Sequence, residues 1–111
     1  MRGWVYFIGV SEDGSDTCWV KIGFTAGNVY ARCSALQTGN PYALDVLAYA
    51  PGSLADEQRL HGRFSGFRGR GEWFEMDGFL QAYIHSLMAE TQRTEAAPTL
   101  WTDAWHREHV A

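Results

Sequence analysis

Five side chains spread along this sequence carry groups that can act on a phosphate ester: Tyr6, Lys21, Arg32, His61 and Glu72. A guanidinium such as that of Arg32 presents a donor fork that fits two phosphoryl oxygens and keeps its charge. A carboxylate such as Glu72 offers the hard oxygen that Mg²⁺ or Mn²⁺ prefers, and these ions commonly take only one or two carboxylates, leaving the rest of the shell to water and phosphate. Histidine is the proton-transfer side chain of neutral pH, and Glu57 stands one helical turn before His61, where it can orient the ring. Each of these residues also has an ordinary use. Tyr6 suits a core strand, Lys21 an exposed strand, Arg32 a solvated helix face, the Glu57–His61 pair a brace within a helix, and Glu72 a surface position beside an aromatic strand.

The elements that must position these residues are legible in the pattern of apolar and turn-forming residues. Trp4 to Val10 and Cys18 to Phe24 are rich in aromatic and β-branched residues and flank a polar stretch containing Asp13-Gly14, which predicts a β-hairpin. From Asn28, a suitable N-cap, the apolar positions Val29, Cys33 and Leu36 recur at helical spacing until Gly39-Asn40-Pro41. Leu44 to Tyr49, bounded by Pro41 and Pro51-Gly52, reads as a third strand. Ser53 to Asp56 forms a capping-box pattern at the start of a second helix reaching about Phe64, on which Glu57, Leu60, His61 and Phe64 share one face. A Gly- and Arg-rich loop from Ser65 to Gly71 leads into Glu72-Trp73-Phe74-Glu75-Met76. Phe79, Leu80, Tyr83, Ile84, Leu87 and Met88 then mark a third helix. The expected fold is therefore α/β, a three-stranded, mainly antiparallel sheet flanked by three helices.

At 111 residues the chain has material for one core, and its 46% hydrophobic content separates it from disordered chains. No apolar run approaches the roughly 20 residues needed to cross a bilayer, and no signal-peptide cleavage pattern follows Met1. The expected location is the cytoplasm of a bacterium or of a phage-infected host cell, where Cys18 and Cys33 remain thiols. The formal charge of −4 runs against a strongly basic nucleic-acid binder. Its distribution is uneven, however. Arg59, Arg63, Arg68 and Arg70 crowd one stretch, and Glu12, Asp13 and Asp16 cluster in a distant turn, so a local basic face for nucleic acid is compatible with the total.

In order, the chain offers Trp4-Val5-Tyr6, Lys21-Ile22-Gly23, Arg32, Glu57-x-x-x-His61 and Gly71-Glu72-Trp73-Phe74. This order and spacing resemble the GIY-YIG endonuclease superfamily, most closely its small phage and fungal branch, in which the second motif often begins with Lys. The likeness runs from about Trp4 to Phe74. Two departures stand out. Trp4 replaces the first glycine of the first motif, and Lys21 replaces the first tyrosine of the second. The resemblance implies that the two motifs lie on neighbouring strands, with Tyr6, Lys21, Arg32 and Glu72 converging on one face.

It also implies an activity: hydrolysis of a nucleic-acid phosphodiester, DNA rather than RNA, single- or double-stranded, with one divalent ion, Mg²⁺ or Mn²⁺, on Glu72. Such hydrolysis needs a deprotonated water, charge stabilisation on the phosphoryl oxygens, and help for the leaving oxygen. In that scheme Tyr6 is general base or water-orienting group, because a phenolate forms more easily near a cation. Lys21 is that cation or itself takes the proton, and Arg32 binds the scissile phosphate. His61 contacts that phosphate or protonates the departing oxygen, and Arg59, Arg63, Arg68 and Arg70 meet the nucleic-acid backbone. The competing expectations are a nucleic-acid-binding or protein-interaction module with a decayed site, and a structural protein using the Trp-containing tail. Residues 1–93 form the expected GIY-YIG-like nuclease domain. Residues 94–111, which mix Pro98 with Trp101, Trp105, His106 and His109, form a tail that is either a strap or disordered. The spacing of His106 and His109 does not suit zinc.

Overall fold

The computed structural model describes residues 2–11 and 17–94. Two long strands, β1 (Arg2–Ser11) and β2 (Trp19–Thr25), pair antiparallel, as the β-branched and aromatic runs predict. Asp13-Gly14, the expected turn, lies outside the described residues, as do Glu12, Asp16 and the tail beyond Thr94. The register sets Tyr6 opposite Gly23, Ile8 opposite Lys21 and Phe7 opposite Ile22. Because side chains alternate across a strand, this register assigns every residue of the hairpin to one of two faces.

Helix α1 (Val29–Gln37) begins at Asn28, whose side chain accepts a hydrogen bond from the Ala31 amide at 3.0 Å. It presses Val29 and Cys33 onto Tyr6, Ile8 and Val10. On the opposite face Val5, Phe7, Val20 and Ile22 form the larger core, with Leu60 from α2 (Leu54–Arg63), its C-cap residue Phe64, and Leu80, Tyr83, Ile84 and Leu87 from α3 (Gly78–Thr94). Helix α2 starts with the expected capping box: the Ser53 hydroxyl accepts from the Asp56 amide at 3.3 Å and Asp56 accepts from the Ser53 amide at 2.8 Å. Asp77 caps α3 in the same way, accepting from the Leu80 amide at 2.9 Å. No helix among the described residues is long and apolar enough to cross a membrane.

The sheet departs from the sequence expectation in two respects. It has four strands, in the order β3-β1-β2-β4, rather than three. The added strand, β4 (Trp73–Glu75), is only three residues long and pairs antiparallel with Trp19–Lys21. A run that short carries no readable alternation, so its partner rather than its own pattern makes it a strand. Strand β3 (Ala43–Ser53) also continues through Pro51 instead of stopping before it. It lies at the sheet edge, where a residue without an amide proton breaks no ladder on the open side. A bulge between Phe7 and Ile8 lets Leu47 stand outside the pairing.

One close approach fixes the glycine of the second strand. The Tyr6 ring lies over the Gly23 backbone, and a Cβ at position 23 would overlap its Cζ and hydroxyl oxygen. Both groups are enclosed between sheet and α1, and neither can yield without disturbing the packing. Gly23→Ala is therefore expected to lower stability by about 1–3 kcal/mol. Urea unfolding measures this, and a variant as stable as wild type contradicts the close approach.

Candidate functional site

The face of the hairpin under α1 carries two of the candidate residues, Tyr6 and Lys21, and α1 itself contributes Arg32. Tyr6 and Gly23 face each other across β1 and β2, and Lys21 lies two residues before Gly23, hence on the same side. Tyr6 is only 1% exposed. Its hydroxyl is met by the guanidinium of Arg32, which projects from an exposed position on α1. That hydrogen bond and the charge interaction with Tyr6 raise the arginine's pKa. Partial burial opposes the rise, and the Glu72 carboxylate adds to it. Arg32 is thereby held as a cation between an aromatic oxygen and a carboxylate, with its outer surface in solvent.

Strand β4 brings Glu72 into this group. The Lys21↔Trp73 pairing sets Trp73 beside the lysine, and the preceding residue swings its carboxylate to within 2.9 Å of Lys21 Nζ. Lys21 Nζ also lies 5.7 Å from the Trp73 ring centroid, at cation–π range. The lysine side chain is 12% exposed and the glutamate 40%. The pair therefore has a shielded cationic end and a carboxylate open to water. Where the resembled motif has a tyrosine, this chain has one half of an ion pair. No metal-binding role for Trp73 is implied, and nothing in its spacing set it apart from the rest of Gly71-Glu72-Trp73-Phe74.

His61 and Glu57 reach the site from the other face. Both lie on α2, with Glu57 Oε1 3.3 Å from His61 Nε2, and the His61 ring centroid is 5.1 Å from that of Phe74. They line an open groove of about 430 Å³ together with Gln58, Gly62, Ser65, Arg68 and Glu72. Glu72 thus belongs to both groups and joins them at the edge of the sheet. Gln58 and Ser65 were not marked by any motif; they enter the groove only because α2 and the following 3₁₀ turn (Ser65–Phe67) pack there.

The four clustered arginines have different local surroundings. Arg68 lines the groove, with its Nε donating to the Gly71 carbonyl at 2.7 Å and its guanidinium 6.0 Å from the Phe74 ring centroid. Arg59 is held by Asp56 at 3.0 Å on the exposed side of α2. Arg63 lines a separate aromatic pocket with Phe64, Phe67, Phe79 and Tyr83. Arg70 sits exposed in the loop, and its carbonyl accepts from the Trp73 amide at 3.0 Å. Close in sequence, the four arginines thus have different immediate partners.

Glu72, paired with Lys21, is the accessible hard-oxygen donor of this group, which does not make a closed metal cage. Among the described residues no group of three or more His, Cys, Asp or Glu side chains is placed to share a metal. A single half-exposed carboxylate is the arrangement in which Mg²⁺ keeps several waters. His106 and His109 lie outside the described residues.

A family model described as the T5orf172 domain matches residues 3–100. No match is found among curated proteins or among solved structures.

Glu57 is buried beside the site, and its pKa is raised, first by burial and then by Glu72, while His61 and Lys21 act in the opposite sense. The folded chain thus holds the Glu57 proton to higher pH than the unfolded chain does. Between the ordinary carboxylate value of 4.5 and the raised folded value, folding stability falls as pH rises. Glu57→Gln cannot ionise and escapes this loss. Urea titrations at about pH 4 and about pH 7 should show the variant gaining on wild type at the higher pH; parallel behaviour contradicts the burial argument.

Proposed function

The chain belongs to the T5orf172 domain family, and on that premise we propose that it is a GIY-YIG-type, divalent-metal-dependent endonuclease acting on DNA. The family is compatible with a nuclease-like or DNA-binding role. The observation that carries the finer reading is the meeting of Tyr6, Arg32, Lys21 and Glu72 through direct hydrogen-bond, ion-pair and charge contacts. Elements remote in sequence bring together an aromatic hydroxyl, two cations and one accessible carboxylate, a set with no evident use in packing alone.

In this reading Arg32 takes the scissile phosphate with the solvent-facing part of its fork and neutralises charge that builds on the phosphoryl oxygens. Tyr6, held by Arg32, orients the attacking water or, as phenolate, takes its proton. Lys21 balances the negative charge on that side. His61, in the adjoining groove, serves the departing oxygen. Glu72 is the residue that would hold Mg²⁺ or Mn²⁺, which supplies Lewis-acid stabilisation of phosphoryl oxygens. Arg68 is the arginine of the four best placed to meet the neighbouring phosphate backbone.

The second reading is a DNA-binding module that has lost catalysis. One observation favours it: the Lys21–Glu72 ion pair already satisfies the carboxylate on which metal chemistry depends. Cleavage assays separate the two. Incubation with single-stranded and duplex DNA in Mg²⁺ or Mn²⁺ should give cleavage that falls by about 10²–10³-fold in Arg32→Ala and at least as far in Glu72→Ala, with circular dichroism unchanged. Binding without cleavage under either metal selects the second reading, and cleavage that survives both substitutions refutes the assignment of the site.

A further inference from the structure

Glu57 is the single charged side chain buried to 4% exposure among the described residues. Removing a carboxylate from water is unfavourable unless partners compensate. Its partner is His61, whose Nε2 lies 3.3 Å from Glu57 Oε1 and 2.8 Å from the carbonyl oxygen of Ile22. A carbonyl can only accept a hydrogen bond. The hydrogen of the neutral ring therefore sits on Nε2, aimed at Ile22, with the Glu57 carboxylate beside it as a second acceptor.

The sheet makes that carbonyl available. The Ile22 amide donates to the Glu72 carbonyl at 3.1 Å, at the point where pairing with β4 ends after Lys21↔Trp73. In an antiparallel strand the amide and carbonyl of one residue point to the same side. The Ile22 carbonyl consequently faces the edge that β4 has just left, and His61 supplies the donor that a longer β4 would have supplied. One ring nitrogen is thus committed to the fold, and His61 still lines the groove that contains Glu72.

We infer that Glu57 is a positioning residue that, with the Ile22 carbonyl, anchors His61 through Nε2 and leaves Nδ1 to protonate the leaving oxygen; this rests on the endonuclease reading above. As the water oxygen bonds to phosphorus it gives up a proton, to Tyr6 as phenolate or to solvent, and the bond from phosphorus to the departing oxygen breaks. That oxygen keeps the electron pair and takes the proton from Nδ1. His61 is left neutral, with hydrogen on Nε2, and regains a proton from solvent. The Glu57 carboxylate lies against the Nε2–H that the ring keeps throughout this step. The other charged groups around the ring are Glu72 and Arg68 in the groove and Lys21 across the sheet edge. A carboxylate kept for this purpose costs stability, whereas one kept to brace α2 adds to it.

The test uses the whole chain with Glu57→Gln and Glu57→Met, and His61→Phe to assign the ring signals. Nitrogen-resolved NMR of wild type should show one His61 tautomer, Nε2–H, with a ring proton in slow exchange. Both Glu57 variants should unfold at or above the wild-type temperature. Their kcat should fall by about 10²-fold with KM little changed. A His61 ring protonated on Nδ1, or exchanging freely between tautomers, overturns the inference whether or not DNA is cut. Variants that lose stability and keep kcat show a brace and overturn it as well. A wild-type chain with the anchored Nε2–H ring that cuts no DNA refutes the endonuclease reading and leaves the anchoring in place.

Discussion

The register between β1 and β2 is the constraint from which the rest of the site follows. Tyr6 faces Gly23, and the tyrosine ring can lie there only because position 23 lacks a Cβ. With that pair fixed, alternation puts Lys21 on the same face and Ile22 on the other, and Ile22 is where the larger core meets the edge used by His61. A slip of one residue would send Lys21 into the core and turn Ile22 towards α1. The two hydrophobic clusters on opposite faces oppose such a slip, so packing energy of the whole hairpin holds the geometry of a few polar atoms.

The two departures from the resembled motifs become intelligible on this frame. Trp4, in place of a glycine, does not crowd Tyr6. Its ring turns edge-on to Tyr49 at 5.5 Å, and Tyr49 meets Tyr30 of α1 at 5.9 Å, so the added bulk covers the smaller core. Lys21, in place of a tyrosine, exchanges a neutral hydroxyl for a cation paired with Glu72. The first change is a packing change at the border of the site. The second alters its electrostatics, because it places a permanent counter-ion against the accessible carboxylate. Around that pair lie Arg32 on one side and Glu57 on the other, and the local charge is close to balanced despite the acidity of the whole chain.

The parts of this fold that were readable in the sequence are those whose causes are local. Asn28 and the Ser53–Asp56 box announce their helices because a cap bonds to amides two or three residues away. The hairpin strands announce themselves by residue type. Strand β4 did not, since three residues become a strand only when Trp19–Lys21 lies alongside. Pro51 suggested an end to β3 because its tolerance depends on the strand being at an edge, a property of sheet order. The same division holds for the site. Glu57 and His61 were pairable from helical spacing, but the Ile22 carbonyl as their third partner was not. The motif order placed Lys21 and Glu72 in one site, whereas their mutual ion pair needs the β2–β4 register. The separation of Arg59, Arg63 and Arg68 into different surroundings depends on how α2 ends and is invisible in a count of basic residues.

The proposed cleavage requires that one phosphodiester touch groups from α1, β1, α2 and the residue preceding β4 together. The most direct measurement is a crystal structure of Tyr6→Phe, chosen to slow the reaction while keeping the ring, bound to a short DNA strand with Mn²⁺. Anomalous scattering from Mn²⁺ is expected at Glu72, with a backbone phosphate on Arg32 and the His61 ring still anchored to the Ile22 carbonyl through Nε2. DNA bound away from Arg32, or Mn²⁺ bound elsewhere while the Lys21–Glu72 pair stays closed, contradicts the proposed cleavage.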